Sequence, residues 1–168
     1  PLKFHAKCMD ETPQKYEGFL WAMTGDPRQV TEIKIDPSGL RILSGMYHTC
    51  AALTSVGIDL IIDDVVFGSR ILRAAVDTLH SFKVLFVGVR CPFEVAQQRE
   101  TDRGDRDKGL VRAHFHMVHN HGIYDLEVDT SILTPLECAS RIKDRLLFGP
   151  EPDAFQRLYA ASRLISSP

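Results

Sequence analysis

An α/β fold, a parallel sheet with flanking helices, is what this sequence predicts, and three observations predict it. Three short apolar runs have the character of strands buried on both faces: residues 58–66 (IDLIIDDVV), 84–90 (VLFVGVR) and 123–129 (IYDLEVD). The segments between and after them carry apolar residues at helical spacing. Strands alternating with helices then require right-handed crossovers, and hence parallel pairing.

In chain order, residues 30–35 (VTEIKI), a turn at Asp36-Pro37-Ser38-Gly39 and residues 40–43 are expected to form a β-hairpin, with a helix over 43–56. Residues 69–80 place Ile71, Leu72, Ala75, Val76 and Leu79 on one helical stripe. Residues 92–101 open a helix with Pro92 at its first position, where a missing N–H costs nothing. A further helix is expected over 108–120. Thr134, Pro135 and Glu137 form a capping box that starts a helix running to about Leu147, stopped by Gly149-Pro150. Residues 152–165 read as a last amphipathic helix carrying Phe155, Leu158, Tyr159 and Leu164.

Size and charge bound the function. The chain has 168 residues, 44% of them hydrophobic, which suits one packed unit. Its 20 basic and 22 acidic side chains leave a formal charge of −2, which argues against a general nucleic-acid binder. No apolar stretch approaches the ~20 residues that span a bilayer, so no membrane partner is expected. Cys8, Cys50, Cys91 and Cys138 stand far apart with no CxxC pair, as buried thiols of a cytoplasmic protein would. The chain opens at Pro1 without a Met, leaving a removed initiator and a partial sequence both open.

Three constellations could carry chemistry. The run Leu60-Ile61-Ile62-Asp63-Asp64 is an apolar strand ending in carboxylates. Ligands of open parallel sheets bind beyond the C-terminal strand ends, where Asp63 and Asp64 could hold Mg²⁺ on oxygen ligands; capping the following turn is the alternative. Arg99-Glu100-Thr101-Asp102-Arg103-Gly104-Asp105-Arg106 offers three guanidinium groups around a glycine, a candidate clamp on phosphate oxygens. A solvated helix end laced with ion pairs is the competing reading. Asp129 and Thr130, at the end of the last strand, could contact a nucleotide or cap the next turn. The histidines at 114, 116, 119 and 121 have rough metal-ligand spacing without a nearby Cys or carboxylate, so surface or substrate-lining imidazoles are expected instead. Phe19, Trp21 and Met23 are candidates for an apolar acceptor pocket or for plain core.

The strings IIDDVVFG, VLFVGVRCPFEVAQQRETDRGDR and VHNHGIYDLEVDTSILTPLECA, in this order, resemble the chloramphenicol phosphotransferase family of small P-loop kinases. The resemblance implies a three-layer P-loop kinase fold over residues 1–148, with 149–168 a C-terminal helical extension. It implies ATP and Mg²⁺ as cofactors, a small hydroxylated acceptor such as chloramphenicol, and a role in antibiotic resistance. By the family pattern Asp63 is the strand-end acid near the metal, Arg106 the lid arginine on the transferred phosphate, and Arg103 the lid arginine before it; Arg99 belongs to the same stretch. Arg90 matches a family position without an assigned role. The family's GxxxxGK[ST] loop and catalytic base have no counterpart in the 168 residues. The first strand and helix of the fold are therefore expected to be missing, and the chain as it stands to be inactive. A catalytically silent nucleotide-binding or regulatory domain is the alternative, and a homo-oligomer is compatible with either.

Overall fold

The computed structural model describes residues 7–8, 18–24, 29–104 and 107–164. Among these, the N-terminal strands are β1 (Lys7–Cys8), β2 (Phe19–Thr24) and β3 (Gln29–Ile35). β1 runs parallel to β2, and β2 runs antiparallel to β3 with a register shift between Ala22 and Met23. The hairpin thus lies one strand earlier than expected. The stretch read as its turn opens α1 (Pro37–Ser55).

Asp36 decides that outcome. Its carboxylate accepts the Gly39 N–H at 2.9 Å, capping α1, and the Gly18 N–H at 2.8 Å, tying the helix start to the strand β2. Pro37 follows with its φ already helical. A Cβ at Gly39 would lie 2.6 Å from the Gly18 carbonyl oxygen, so the close approach of strand and helix needs glycine there. Asx-Pro-x-Gly serves turns and helix starts alike, and here the bonds of Asp36 to Gly39 and Gly18 select the helix.

The helix α2 (Ser69–Leu79) presents the expected stripe: Ile71, Ala75, Val76 and Leu79 are buried, packed with Tyr47 of α1 and Phe155. β4 (Val87–Arg90) and β5 (Leu126–Asp129) pair in parallel, Val87 opposite Leu126 and Arg90 opposite Asp129. Between them lie α3 (Phe93–Arg103), with Pro92 as its N-cap rather than its first residue, and α4 (Leu110–His114). α4 is far shorter than the helix expected over 108–120: left-handed Gly109 (φ 95°) precedes its first residue, and left-handed His119 (φ 71°) bars a helix from running on to 120. α5 (Pro135–Phe148) begins with the expected capping box, and α6 (Ala154–Leu164) lays Phe155 into the core. Cys138 is buried; Cys50 and Cys91 are half-buried free thiols. Among the described residues, no helix is long and apolar enough to cross a membrane.

The largest departure concerns residues 58–66, expected to be a buried strand. They form no strand, and Ile58, Ile61, Ile62 and Val65 stand exposed, Ile61 completely. A parallel strand exists through its ladder, and among the described residues none runs beside this segment; β4 finds its partner in β5. Apolar patterning reports a preference for burial and does not supply the neighbour. The parallel sheet is accordingly small, two strands with helices around it.

These burials set contrasting costs. Ile71→Ala should destabilise the chain by about 2–5 kcal/mol in urea unfolding, and Ile61→Ala by no more than about 0.5 kcal/mol. A large cost at Ile61 would show that residues 58–66 are packed in solution.

Candidate functional site

The site is built outward from Tyr47. Helical spacing on α1 directs this residue into the apolar cluster, where it is 2% exposed. A hydroxyl in such surroundings needs a partner, and Tyr47 donates to Oδ2 of Asp64. Burial, then the Asp64 hydrogen bond, raise the phenol far above its ordinary range, so it stays a donor. Asp64 is half-buried and Asp63 exposed. A cleft of about 550 Å³ opens between the strand β3 and the starts of α1 and α2, and neither Asp63 nor Asp64 is among its lining residues. Ile33, Ile35, Leu40, Phe67, Ile71 and Met117 supply its apolar walls, while Ser69 and Arg70 stand at its rim, where Arg70 donates to the Ile35 carbonyl at 3.1 Å.

Among the described side chains, Phe19 and Met23 are not part of the lining of this cleft. Their backbones belong to the strand β2, and the Trp21 side chain lies outside the described residues. The cleft escaped sequence reading because its walls come from four separate segments, each looking like ordinary core.

The second group of candidates meets at the end of the strand β5. Arg99 donates to Thr130 Oγ1 at 2.8 Å and to the Thr130 carbonyl at 2.7 Å. Thr130 in turn donates through its N–H and its hydroxyl to the Arg90 carbonyl, at 2.8 and 3.1 Å. Asp129 accepts from the Ser131 hydroxyl at 2.6 Å and N–H at 2.8 Å, and these bonds hold its carboxyl below the usual range. Among the described residues, no hydrogen bond or ion pair joins Asp63 or Asp64 to Arg99, Asp129 or Thr130.

Arg103 is the exposed last residue of α3, followed by left-handed Gly104; Arg106 lies outside the described residues. Both ends of the segment bearing these arginines are pinned by groups the sequence reading did not single out. Glu100 accepts the Gly109 N–H at 2.9 Å and the Val111 N–H at 2.8 Å, closing α3 onto the start of α4. The Val30 N–H donates to the Lys108 carbonyl at 2.8 Å, and Gly109 (φ 95°) presses against the Val30 backbone too closely for any Cβ. A carboxylate nine residues before the glycine that leads into α4 was the available signal.

The histidines divide. His119 Nδ1 shares a hydrogen bond with the Tyr124 hydroxyl, and His121 packs against Phe86 and Tyr124. Arg90, paired with Glu127, sits 5.6 Å from the Tyr124 ring centroid. His114 lies against Phe67 at 4.6 Å between ring centroids. Burial lowers the pKa of all three imidazoles. Among the described residues, no group of three or more His, Cys, Asp or Glu side chains could hold a metal. Asp63 and Asp64 offer hard oxygens only, which suits Mg²⁺, an ion commonly held by one or two carboxylates with the remaining ligands from water and phosphate.

The family is plain. The chain belongs to the chloramphenicol phosphotransferase-like proteins, whose model matches residues 3–147. It is also 32% identical over 112 residues to two proteins of Mycobacterium tuberculosis (strains CDC 1551 / Oshkosh and ATCC 25618 / H37Rv), each named "Putative O-phosphotransferase". The match covers 67% of this chain and 50% of each relative, so the chain spans about half the length of the curated relatives it matches.

Two outcomes follow. The unfolded chain takes up imidazole protons below about pH 6.5, which the folded chain, with its lowered histidines, resists. Stability should therefore be full above pH ~6.5 and decline as the pH falls through the folded-state values, seen as a falling urea midpoint. His119→Asn, which tolerates the left-handed backbone, should flatten that decline. Glu100→Ala should release the segment after α3 and speed tryptic cleavage at Arg103 and Lys108 several-fold, with cleavage elsewhere unchanged.

Proposed function

We propose that these residues form most of the catalytic domain of an ATP-dependent O-phosphotransferase, which phosphorylates a hydroxyl of a small, chloramphenicol-like acceptor. The family match over residues 3–147 is the observation that carries the reading. The arrangement of the cleft supports it: its apolar walls suit the carbon skeleton of a small molecule, and its volume of about 550 Å³ is within the range of ligand pockets.

On this reading each candidate has a task. Asp63, with Asp64 behind it, faces Mg²⁺, which when bound neutralises charge on the transferring phosphate. Arg103 and Arg106 approach the phosphate oxygens from the segment pinned by Glu100, and their forked donors match those oxygens. Arg99, Asp129 and Thr130 shape the wall against which the nucleotide lies. The complete fold is then the three-layer P-loop kinase arrangement.

The 168 residues contain no GxxxxGK[ST] loop and no acid matching the family's base. Positioning and electrostatics supply most of phosphoryl-transfer catalysis, so this polypeptide alone should transfer phosphate at no useful rate. The second reading is a silent nucleotide-binding domain.

Three measurements separate the outcomes. Incubating the 168-residue chain with radiolabelled ATP, Mg²⁺ and chloramphenicol should yield no phosphorylated acceptor, and a labelled product would refute the inactivity. The polypeptide carrying whatever its reading frame encodes before Pro1 should yield that product if the phosphotransferase reading holds. Calorimetric ATP affinity without transfer in both would establish the silent domain. Arg103→Ala should weaken ATP binding roughly tenfold, the loss of one charge-assisted contact.

A further inference from the structure

Asp63 and Asp64 are chemically identical neighbours, and the structure gives them unlike surroundings. Tyr47, locked in the core with Ile71, Ala75, Val76, Leu79 and Phe155, presents its hydroxyl to Asp64 alone of the pair. From 63 to 66 exposure alternates: Asp63 and Val65 are exposed, Asp64 and Val66 half-buried. The Tyr47 hydrogen bond holds the Asp64 carboxylate against α1, while the neighbouring Asp63 is exposed. Val66 and Phe67 then pack against the same core, fixing the segment from the other end.

We propose that Tyr47 is a positioning residue that makes the two carboxylates unequal, with Asp64 its anchor and Asp63 the ligand presented to a divalent cation. The cation itself rests on the phosphotransferase reading; the anchor does not. A phenol suits this task because it donates one directional hydrogen bond and brings no charge of its own. Outer partners of this kind orient a ligand that the cation then meets, and losing one costs affinity without removing any ligand.

The test uses the whole ¹⁵N-labelled chain with Mn²⁺ alone, read as paramagnetic broadening of backbone amide signals. Broadening is expected to centre on residues 61–66. Asp63→Asn should abolish it. Asp64→Asn, whose amide oxygen still accepts from Tyr47, should retain it with little change. Tyr47→Phe, which removes one hydroxyl from a core position and keeps its volume, should weaken it about tenfold while the amide signals of α1 and α2 keep their dispersion. Loss in Asp64→Asn equal to that in Asp63→Asn overturns the division, as does undiminished broadening in Tyr47→Phe. Both of those results leave the phosphotransferase reading intact. An absence of broadening in the unmodified chain overturns the ligand assignment and also removes the cation from the proposed function.

Discussion

A phenol hydroxyl in an apolar core must find an acceptor, and much of this molecule follows from where Tyr47 finds one. Its ring is committed to the cluster shared by α1, α2 and α6, so the acceptor has to come to it. Asp64 does, 17 residues further along the chain. That bond fastens a segment without ladder partners among the described residues onto the buried core cluster. The cleft between β3 and α2 inherits its position from the same contact, because Phe67 and Gly68, three and four residues beyond Asp64, form part of its wall.

The rest of the architecture repeats one device, a carboxylate that accepts backbone N–H groups from two places at once. Asp36 joins the start of α1 to Gly18. Glu100 joins α3 to the start of α4. Asp125, its side chain 1% exposed, accepts from Phe86 on one oxygen and from Asp153 and Ala154 on the other, so one residue ties the approach to β4 to the N-terminus of α6. Each bond satisfies donors that a loop or helix end would otherwise leave unpaired. Each also holds a joint in place, which is why loops bearing charged residues here have fixed ends.

Helix starts and stripes were legible in the sequence because they depend on near neighbours. Thr134 and Glu137 are three residues apart, and the buried stripe of α2 repeats within eleven residues. What depends on distant partners was not legible. Residues 58–66 have the composition of a strand, yet a strand requires a neighbour that composition cannot name. Asp36-Pro37-Ser38-Gly39 satisfies a turn and a helix cap equally well, and the contact that decides, with Gly18, lies far off in sequence. Among candidate site residues, acidity and position marked Asp63 and Asp64 together, but nothing local told them apart. Glu100 and Asp125 were passed over because an acidic residue beside arginines or in a strand lead-in reads as solvated.

The motifs behind the family resemblance turn out to be dense with structural work. In the stretch from Arg99 to Arg106, Arg99 and Glu100 are engaged with Thr130 and with the start of α4. In the stretch from Tyr124 to Thr130, Tyr124 meets His119, Asp125 holds two backbone joints, Glu127 pairs with Arg90, and Asp129 closes on Ser131. The Arg99–Thr130 bonds cross-link the two motifs directly. A family signature of this kind therefore records the bracing of a site as much as its chemistry.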